Sequence, residues 1–277
     1  MKIAYLGPAG TFTEDALREA ARGSDFEPLR TPTVHDAILA VERAEADRAL
    51  VPFENSIEGS VRTTLDTLAF DTSEVTIVGE YDFAVRAMLI AREPIDLSQV
   101  EGVLSHPQPL AQCARFLREH LPAAERQSVE STAEAVRIVS QSEAPWTAIG
   151  AQAAADLYGC TVLREGIEDE PNNVTRFVWI APAGTEPEGG GDWKTSLVFS
   201  ELGEDHPGAL VDALREFSSR GVNLTRIESR PLRQGLGRYM FFCDLEGALV
   251  EAPVAEAIEA LRGKAESVRV LGSYPVG

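Results

Sequence analysis

The sequence has few cysteines and lacks any apolar run of the roughly 18 residues that a membrane-spanning helix requires. Cys113, Cys160 and Cys243 are odd in number and far apart, and no CxxC pair occurs. These features argue against a disulfide framework and a zinc site and favour a reducing, cytoplasmic location. The first seven residues, MKIAYLG, are typical of a buried strand and not of a signal peptide.

Lysine is also scarce, since Lys2, Lys194 and Lys264 are the only lysines among 25 basic residues. With 44 acidic residues the net charge is -19, which argues against nucleic acid and anionic membranes as partners. The excess of acidic residues and the scarcity of lysine have two explanations. The chain is either a halophilic protein whose acidic surface holds water and ions, or an ordinary acidic protein from a genome that favours arginine. The first is the favoured hypothesis.

Length and composition indicate two globular domains, because 277 residues with 44% hydrophobic side chains exceed the usual size of a single domain. Residues 183–192, AGTEPEGGGD, contain no apolar side chain larger than alanine and are predicted to be a linker. The predicted division is therefore a first domain at 1–182, the linker at 183–192 and a second domain at 193–277.

In the first domain, β-rich runs alternate with segments of helical periodicity, which predicts an α/β domain with mainly parallel sheets. The stretch from 75 to 91 is a candidate crossover between two lobes. The predicted strands are 2–6, 48–52, 75–78, 83–91, 100–104, 147–149, 161–163 and 177–181, and the predicted helices are 13–21, 33–44, 60–69, 109–120 and 132–140.

The second domain follows a different order, strand–helix–strand–strand–helix–strand. This βαββαβ order predicts an antiparallel, ferredoxin-like sheet with both helices on one face. Its predicted elements are strands at 195–200, 222–230, 239–245 and 268–274, with helices at 207–220 and 253–264.

Three loops of the first domain directly follow a predicted strand and carry polar side chains. Residues 7–14, GPAGTFTE, combine glycines with a helix start that favours an anion, but also fit a plain turn capped by Thr13. Residues 51–60, VPFENSIEGS, hold five hydrogen-bonding side chains within seven positions and end at Ser60, a candidate cap. Residues 105–109, SHPQP, include His106, a candidate general acid or simply a polar turn residue.

A fourth segment, 168–177, precedes the last strand of the first domain and contains Arg176. Its guanidinium is suited to a bidentate grip on a carboxylate, although pairing with a surface acid is an equal alternative. Cys113 lies on a predicted apolar helix face and is interpreted as a core residue, not a nucleophile.

At these loops the sequence closely resembles the prephenate dehydratase family. The resemblance covers nearly the whole chain. It rests on GPAGTFTE (7–14), VPFENSIEG (51–59), SHPQPLAQC (105–113), STAEAV (131–136), GAQAAADLYGCTVL (150–163) and NNVTRF (172–177), and, for the family's ACT regulatory module, on GALV (208–211) and NLTRIESRP (223–231).

The resemblance implies a lyase that converts prephenate to phenylpyruvate, water and CO2 in phenylalanine biosynthesis. It implies a two-lobed catalytic domain like a periplasmic binding protein, no cofactor and no metal, a homodimer or homotetramer, and inhibition by phenylalanine bound through the ACT module. No chorismate-mutase segment is expected. An arogenate-preferring dehydratase is the close alternative, and a non-catalytic amino-acid sensor is the alternative from another class.

The resemblance also assigns residues. Thr175 is placed at the leaving hydroxyl, with Glu54 or His106 as the proton donor and the choice left open. Arg176 and the amides near Thr11 are expected to hold a carboxylate, while the remaining substrate contacts are Asn55, Ser56, Ser105 and Gln108. Phenylalanine is expected at Gly208, Ala209, Leu210, Val211, Asn223, Leu224, Glu228 and Ser229.

Overall fold

A computed structural model describes residues 1–202 and 207–277. The elements of the first predicted domain come first in the chain. They are β1 (Lys2–Leu6), α1 (Phe12–Ala20), β2 (Glu27–Thr31), α2 (Val34–Glu42), β3 (Arg48–Asn55), β4 (Gly59–Ser60), α3 (Arg62–Asp66) with a π-helix (Thr67–Asp71), β5 (Val75–Ala84), β6 (Met88–Ala91), a 3-10 helix (Leu97–Gln99), β7 (Gly102–Ser105), α4 (Pro107–Gln112), α5 (Ala114–His120), β8 (Glu125–Ser128), α6 (Thr132–Gln141), β9 (Trp146–Gly150), α7 (Gln152–Tyr158), β10 (Thr161–Glu165) and β11 (Val174–Pro182).

These elements form two sheets. The first has the order β2-β1-β3-β11-β5, with β4 paired to β3, and the second has the order β10-β6-β9-β7-β8. The predicted α/β architecture with two lobes is confirmed. The expectation of mainly parallel sheets is only partly met, because β7 pairs in parallel with β8 and β9 while β6 pairs antiparallel with β9 and β10.

The rest of the chain forms the predicted βαββαβ module. Its elements are β12 (Trp193–Leu202), α8 (Ala209–Ser218), β13 (Leu224–Pro231), β14 (Tyr239–Glu246), α9 (Ala252–Arg262) and β15 (Ala265–Pro275). The sheet order is β13-β14-β12-β15, and all three pairings are antiparallel. One face of the sheet supplies Leu197, Phe199 and Cys243 to a core that includes residues of both helices.

Several element boundaries differ from the predictions. The predicted strand 83–91 is divided, because β5 ends at Ala84 and β6 begins only at Met88. The predicted helix 109–120 is two helices separated at Cys113, and the predicted helix 60–69 becomes α3 followed by the π-helix. Strands β2, β4 and β8 and helix α7 were not predicted; β8 is exposed at all four positions and so lacks a hydrophobic pattern.

Two predicted helix caps were wrong. Thr13 lies inside α1, whose cap position is Thr11, and Ser60 lies in β4 while Val61 precedes α3. Pro109 is likewise the third residue of α4, whose cap is His106. Cap residues and first-turn residues share the same composition, so the sequence alone fixes a helix start to within about two residues.

The chain forms two compact units that are interleaved along the sequence. One contains residues 1–37, 50–59 and 82–177, and the other contains residues 38–49, 60–81 and 178–277. The segment 183–192 contains no helix or strand. The linear division at 182 and 193 stays a prediction, since residues 60–81 cluster with the βαββαβ module despite lying far from it in sequence. No helix among the described residues is long and apolar enough to cross a membrane.

Within the first unit, Asp15 on α1 connects the two sheet lobes. Its Oδ1 accepts the Ala153 N–H at the start of α7 at 3.0 Å. Gly10 packs closely there too, because a Cβ on Gly10 would lie 3.0 Å from the Ala154 Cα. Burial raises the pKa of Asp15 from 3.8 to about 6, despite the hydrogen bonds from the backbone of Ala153 and Gln152.

We predict that Asp15→Asn makes stability less dependent on pH. A raised folded-state pKa means that the contribution of Asp15 is fully present below pH 3.8 and is lost as pH rises through about 6. The asparagine keeps an acceptor without charge, so at pH 8 the variant should be more stable than the native chain by up to about 2 kcal/mol, and the difference should vanish near pH 4. Urea unfolding at both pH values measures this.

Glu19→Gln is the matched control, because it removes one negative charge from an exposed side chain of the same helix. It should follow the native pH profile. Parallel stability profiles for Asp15→Asn and the native chain would contradict the assigned cost of burying the Asp15 charge.

Candidate functional site

A cavity of about 650 Å³ lies in the first unit, where strands of both sheets end and helices begin. Lobe one contributes Thr11 beside α1, Asn55 at the end of β3 and Thr175 on β11, while lobe two contributes His106 and Gln108 from α4. Crevices at the carboxyl ends of strands in α/β sheets are the usual ligand sites of such folds. The structure therefore brings these five predicted residues together around one cavity.

Asn55 and Thr175 form the best-defined polar pair in the cavity. The Asn55 Oδ1 accepts the backbone N–H groups of Ile57 and Glu58, each at 2.9 Å, which fixes the orientation of the amide. Its Nδ2 then donates to the Thr175 Oγ1 at 2.9 Å and to the Asn173 Oδ1 at 2.8 Å. Because the Thr175 oxygen accepts this bond, the hydroxyl hydrogen stays available for another acceptor.

Ser56 has a structural position and does not line the cavity. Its Oγ donates to the Asn172 carbonyl at 2.9 Å and accepts the Val174 N–H at 3.0 Å, while its own N–H donates to the Val174 carbonyl. These bonds join the loop after β3 to the start of β11. Ser56 therefore supports the Asn55–Thr175 pair from outside the cavity.

Arg176 and Glu54 also lie outside the cavity lining. Successive residues of a strand point to opposite faces, so Thr175 and Phe177 of β11 face the cavity while Arg176 points away. The Arg176 guanidinium lies 4.9 Å from the centre of the Phe53 ring, and its Nη1 is 3.7 Å from the Glu54 Oε2. The predicted carboxylate clamp at Arg176 and the predicted proton donor Glu54 thus pair with each other.

Ser105 and His106 are adjacent but differ in exposure. Ser105 is fully buried and its Oγ donates to the Ile149 carbonyl at 2.7 Å, so it joins β7 to β9 and does not line the cavity. His106 lines the cavity, caps α4 and accepts the Gln108 N–H at Nδ1 over 3.4 Å. In the neutral imidazole the proton is therefore on Nε2.

The described residues that line the cavity include no lysine or arginine. The beginnings of α1 and α6 face it instead, at Thr11–Thr13 and Ser131–Thr132. First-turn amides have no partner within their helix and carry a partial positive charge, which suits an anion. On the α1 side, the buried Glu14 carboxylate accepts the Gly10 N–H at 2.8 Å and fixes the loop.

The cavity residues that were missed from the sequence include Asn173 and Gln112. Asn173 is buried and accepts the Asn55 amide, and Gln112 has a buried side-chain nitrogen with no hydrogen-bond partner among the described residues. Gln112 lies four positions after Gln108, on the same side of α4, and this spacing was the available signal. Cys113 beside it is buried, and burial, with Glu168 and Asp169 nearby, raises the pKa of its thiol to about 12, as expected of a core residue.

The predicted phenylalanine-site residues lie at the start of α8 and along β13. Gly208 precedes α8 with a φ of 101°, Leu210 packs against the module core and Val211 is exposed. On β13, Leu224 packs against the core. The other predicted positions are Ala209 in α8, the exposed Asn223, and Glu228 and Ser229 on β13, whose side chains alternate between the two faces of the sheet.

Comparison with known proteins gives consistent results. The prephenate dehydratase family model matches residues 3–185 and the ACT domain model matches residues 201–263. The chain is 40% identical to the prephenate dehydratase of Mycolicibacterium vanbaalenii over 288 residues, covering 99% of this chain and 91% of that protein.

Solved structures that are similar over nearly the full chain include the following two. One is the prephenate dehydratase of Arthrobacter aurescens in complex with L-Phe, with 40% identity, a TM-score of 0.89 and coverage of 99% and 90% of the two chains. The other is a protein described as a novel type of quorum-quenching acylase, with 30% identity, a TM-score of 0.87 and coverage of 100% and 98%. The chain thus belongs to the prephenate dehydratase family and carries that family's ACT domain at its C-terminal end.

Proposed function

We propose that the chain is a cytoplasmic carbon–oxygen lyase that converts prephenate to phenylpyruvate, CO2 and water. The observation that carries this is the fixed Asn55–Thr175 pair in a cavity bordered by two helix starts, within a chain of the matching family. A dehydratase is favoured over the acylase activity of one structural neighbour because the family model and the 40% identical relatives agree on it.

The reaction requires two bonds to break on the same ring. The bond from the ring to the carboxylate breaks, its electron pair completes the aromatic system, and the C4–O bond breaks as hydroxide leaves. The leaving group needs a proton to become water, so hydrogen bonding to the hydroxyl lowers the barrier. The ring carboxylate must meanwhile stay poorly solvated, because its charge disappears in the transition state.

Thr175 is proposed to contact the leaving hydroxyl. Its hydrogen is free to donate because Asn55 occupies its oxygen as a donor. A threonine hydroxyl is a weak acid, so a second group must supply the proton. His106 is favoured over Glu54 for this role, since His106 lines the cavity and Glu54 does not.

The side-chain carboxylate of the substrate, and not the departing ring carboxylate, is proposed to bind to amides instead of a guanidinium. The starts of α1 and α6 offer N–H groups, and the Gln112 side-chain nitrogen is a buried donor that suits a carboxylate or carbonyl oxygen. Gln108 and Thr11 complete the polar lining. Arg176, Ser56 and Ser105 are assigned supporting roles that hold the cavity walls.

We predict that Thr175→Ala lowers kcat by roughly 10²- to 10³-fold, the usual effect of removing one preorganised donor. Thr175→Ser keeps the hydroxyl and should stay within about tenfold of the native rate. Asn55→Asp should act like Thr175→Ala, because a carboxylate has no hydrogen to donate to Thr175. The measurement is steady-state formation of phenylpyruvate from prephenate.

Circular dichroism must show that each variant is folded. A Thr175→Ala enzyme with near-native kcat would disprove the role of the hydroxyl. Parallel assays on arogenate distinguish a prephenate dehydratase from an arogenate-preferring dehydratase. The second alternative predicts a higher kcat/KM on arogenate than on prephenate.

Phenylalanine is proposed to inhibit through the ACT domain. The structural relative from Arthrobacter aurescens was solved with L-Phe, and the start of α8 supplies first-turn amides suited to a carboxylate. The remaining proposed contacts are on β13 and the turn before it. The homodimer or homotetramer expected from the family is part of this proposal, because ligand binding has to favour one subunit arrangement for inhibition to follow.

We predict that Val211→Glu weakens phenylalanine inhibition at least tenfold with little change in the uninhibited rate. Val211 is exposed, so the fold should tolerate the change, but a carboxylate at the start of α8 repels that of the inhibitor. Val250→Glu is the control, as it places the same charge on an exposed apolar position beside α9. Equal inhibition constants in the two variants would refute the placement.

The acidic surface is proposed to be a halophilic adaptation. A net charge of -19 destabilises a compact chain through self-repulsion, and salt screens that repulsion. We predict that the melting temperature rises by more than about 10 °C between 0.05 M and 2 M NaCl, as measured by circular dichroism. A melting temperature that is unchanged across this range would favour the alternative of an arginine-rich but otherwise ordinary protein.

A further inference from the structure

One face of the ACT sheet carries arginines in place of helices. Paired residues of antiparallel strands share a face, and Arg226 pairs with Asp244 while Arg230 pairs with Met240. Arg269 on β15 pairs with Val198, which also pairs with Phe242 of β14. The helix-side core residues Leu197, Phe199 and Cys243 alternate with these positions. The three arginines therefore lie on the face opposite α8 and α9.

These arginines contact the segment 60–72, which belongs to the same compact unit. Arg230 forms two hydrogen bonds with the Asp66 carboxylate, at 3.0 and 2.7 Å, and Arg233 adds a third at 2.9 Å. The Arg233 guanidinium also lies 4.3 Å from the centre of the Phe70 ring. Asp66 is thus held by a bidentate pair and a second cation.

Both ends of the segment are held as well. At its beginning, the Arg226 Nη2 donates to the Ser60 hydroxyl. At its end, the Arg269 Nη1 donates to the carbonyls of Leu68 and Thr72, at 2.8 and 2.6 Å. Arg269 therefore satisfies carbonyls at the C-terminal end of the π-helix, where a helix leaves acceptors without partners. Four arginines hold thirteen consecutive residues.

The segment 60–72 lies close in sequence to the cavity residue Asn55. Ser60 directly follows Gly59 in β4, and only the turn 56–58 separates β4 from Asn55 at the end of β3. The chain passes between the two compact units at the bond between Gly59 and Ser60. The segment contains a π-helix, an irregularity that is common at functional sites. Any shift of the segment must be absorbed within the few residues between Ser60 and Asn55.

We propose that Arg226 and Arg230 are positioning residues that connect the ACT domain to catalysis by holding the segment 60–72, and hence the loop of Asn55. The inference rests on the proposed phenylalanine regulation. Phenylalanine binding shifts the arginine-bearing face, the face moves Ser60 and Asp66, and the Asn55–Thr175 hydrogen bond changes. One face of the ACT sheet thus forms the core with the helices, and the opposite face transmits the structural change to the segment 60–72.

The pKa and the burial of the Asp66 carboxyl indicate a specific contact with Arg230. Burial by itself would raise the pKa of Asp66, but the hydrogen bonds from Arg230 and Arg233 outweigh it, so the pKa lies below its ordinary value. The side chains of Arg230 and Asp66 are each less than one-fifth exposed. A largely buried, bidentate pair of this kind is geometrically specific, unlike a flexible surface ion pair.

The test separates phenylalanine binding from phenylalanine inhibition in the full-length chain. Arg230→Gln and Asp66→Asn should bind phenylalanine by calorimetry with a Kd within about threefold of the native value. Inhibition at saturating phenylalanine should fall to less than half of the native extent, because the coupling between the sites is lost while the site itself remains. Arg230→Lys keeps the charge without the bidentate geometry and should be intermediate.

Two further measurements sharpen the result. The Arg230→Gln/Asp66→Asn double variant should lose no more coupling than either single variant, as expected of residues that act as one pair. Arg215→Gln is the control, since Arg215 pairs with Asp212 on α8 and makes the same charge change elsewhere in the domain. It should retain native inhibition.

Full native inhibition in both Arg230→Gln and Asp66→Asn would overturn the proposal. A native chain that binds no phenylalanine would instead overturn the proposed regulation, and this inference with it, and the wild-type titration reveals that case first. If Arg230→Gln does not fold, Arg233→Gln tests the same carboxylate, because Arg233 is more than half exposed and contacts Asp66 as well.

Discussion

The hydrogen bond between Asn55 and Thr175 is the interaction on which the proposed site depends. It joins the end of β3 to β11, two strands that are 120 residues apart in sequence. Backbone N–H groups of Ile57 and Glu58 fix the asparagine oxygen, so its nitrogen must face the threonine. The threonine hydrogen is then left to donate elsewhere, as the proposed contact with the leaving hydroxyl requires.

The protein as a whole is strongly negative, whereas the proposed site has to attract an anion. The chain carries -19, yet the proposed substrate is a dianion and the described cavity lining contains no lysine or arginine. Helix starts at α1 and α6 supply local positive potential where it is needed, and solvent ions can screen the rest. Net charge therefore describes the interaction of this protein with its solvent, while the proposed binding of the dianion rests on a few oriented amides.

The two faces of the ACT sheet make different contacts. Both helices pack on one face, whereas the other face carries three arginines beside apolar residues such as Met240 and Phe242 and contacts the segment 60–72. The strand alternation that builds the core also fixes the arginines on the opposite face. The proposed regulatory contact requires no additional element, since it uses the face of the sheet that the helices leave uncovered.

The sequence by itself determined the α/β and βαββαβ order, the polar loops and the family, because strand and helix periods and spaced motifs are local properties. It placed Thr175, Asn55, His106, Gln108 and Thr11 at one site. Tertiary structure alone decided that Arg176 and Glu54 face away from the cavity, that Asn173 and Gln112 face it, and that residues 60–81 cluster with the ACT domain. The face a side chain takes on a strand, and the neighbours it meets, depend on register and packing between distant segments, which a pattern of residue types does not encode.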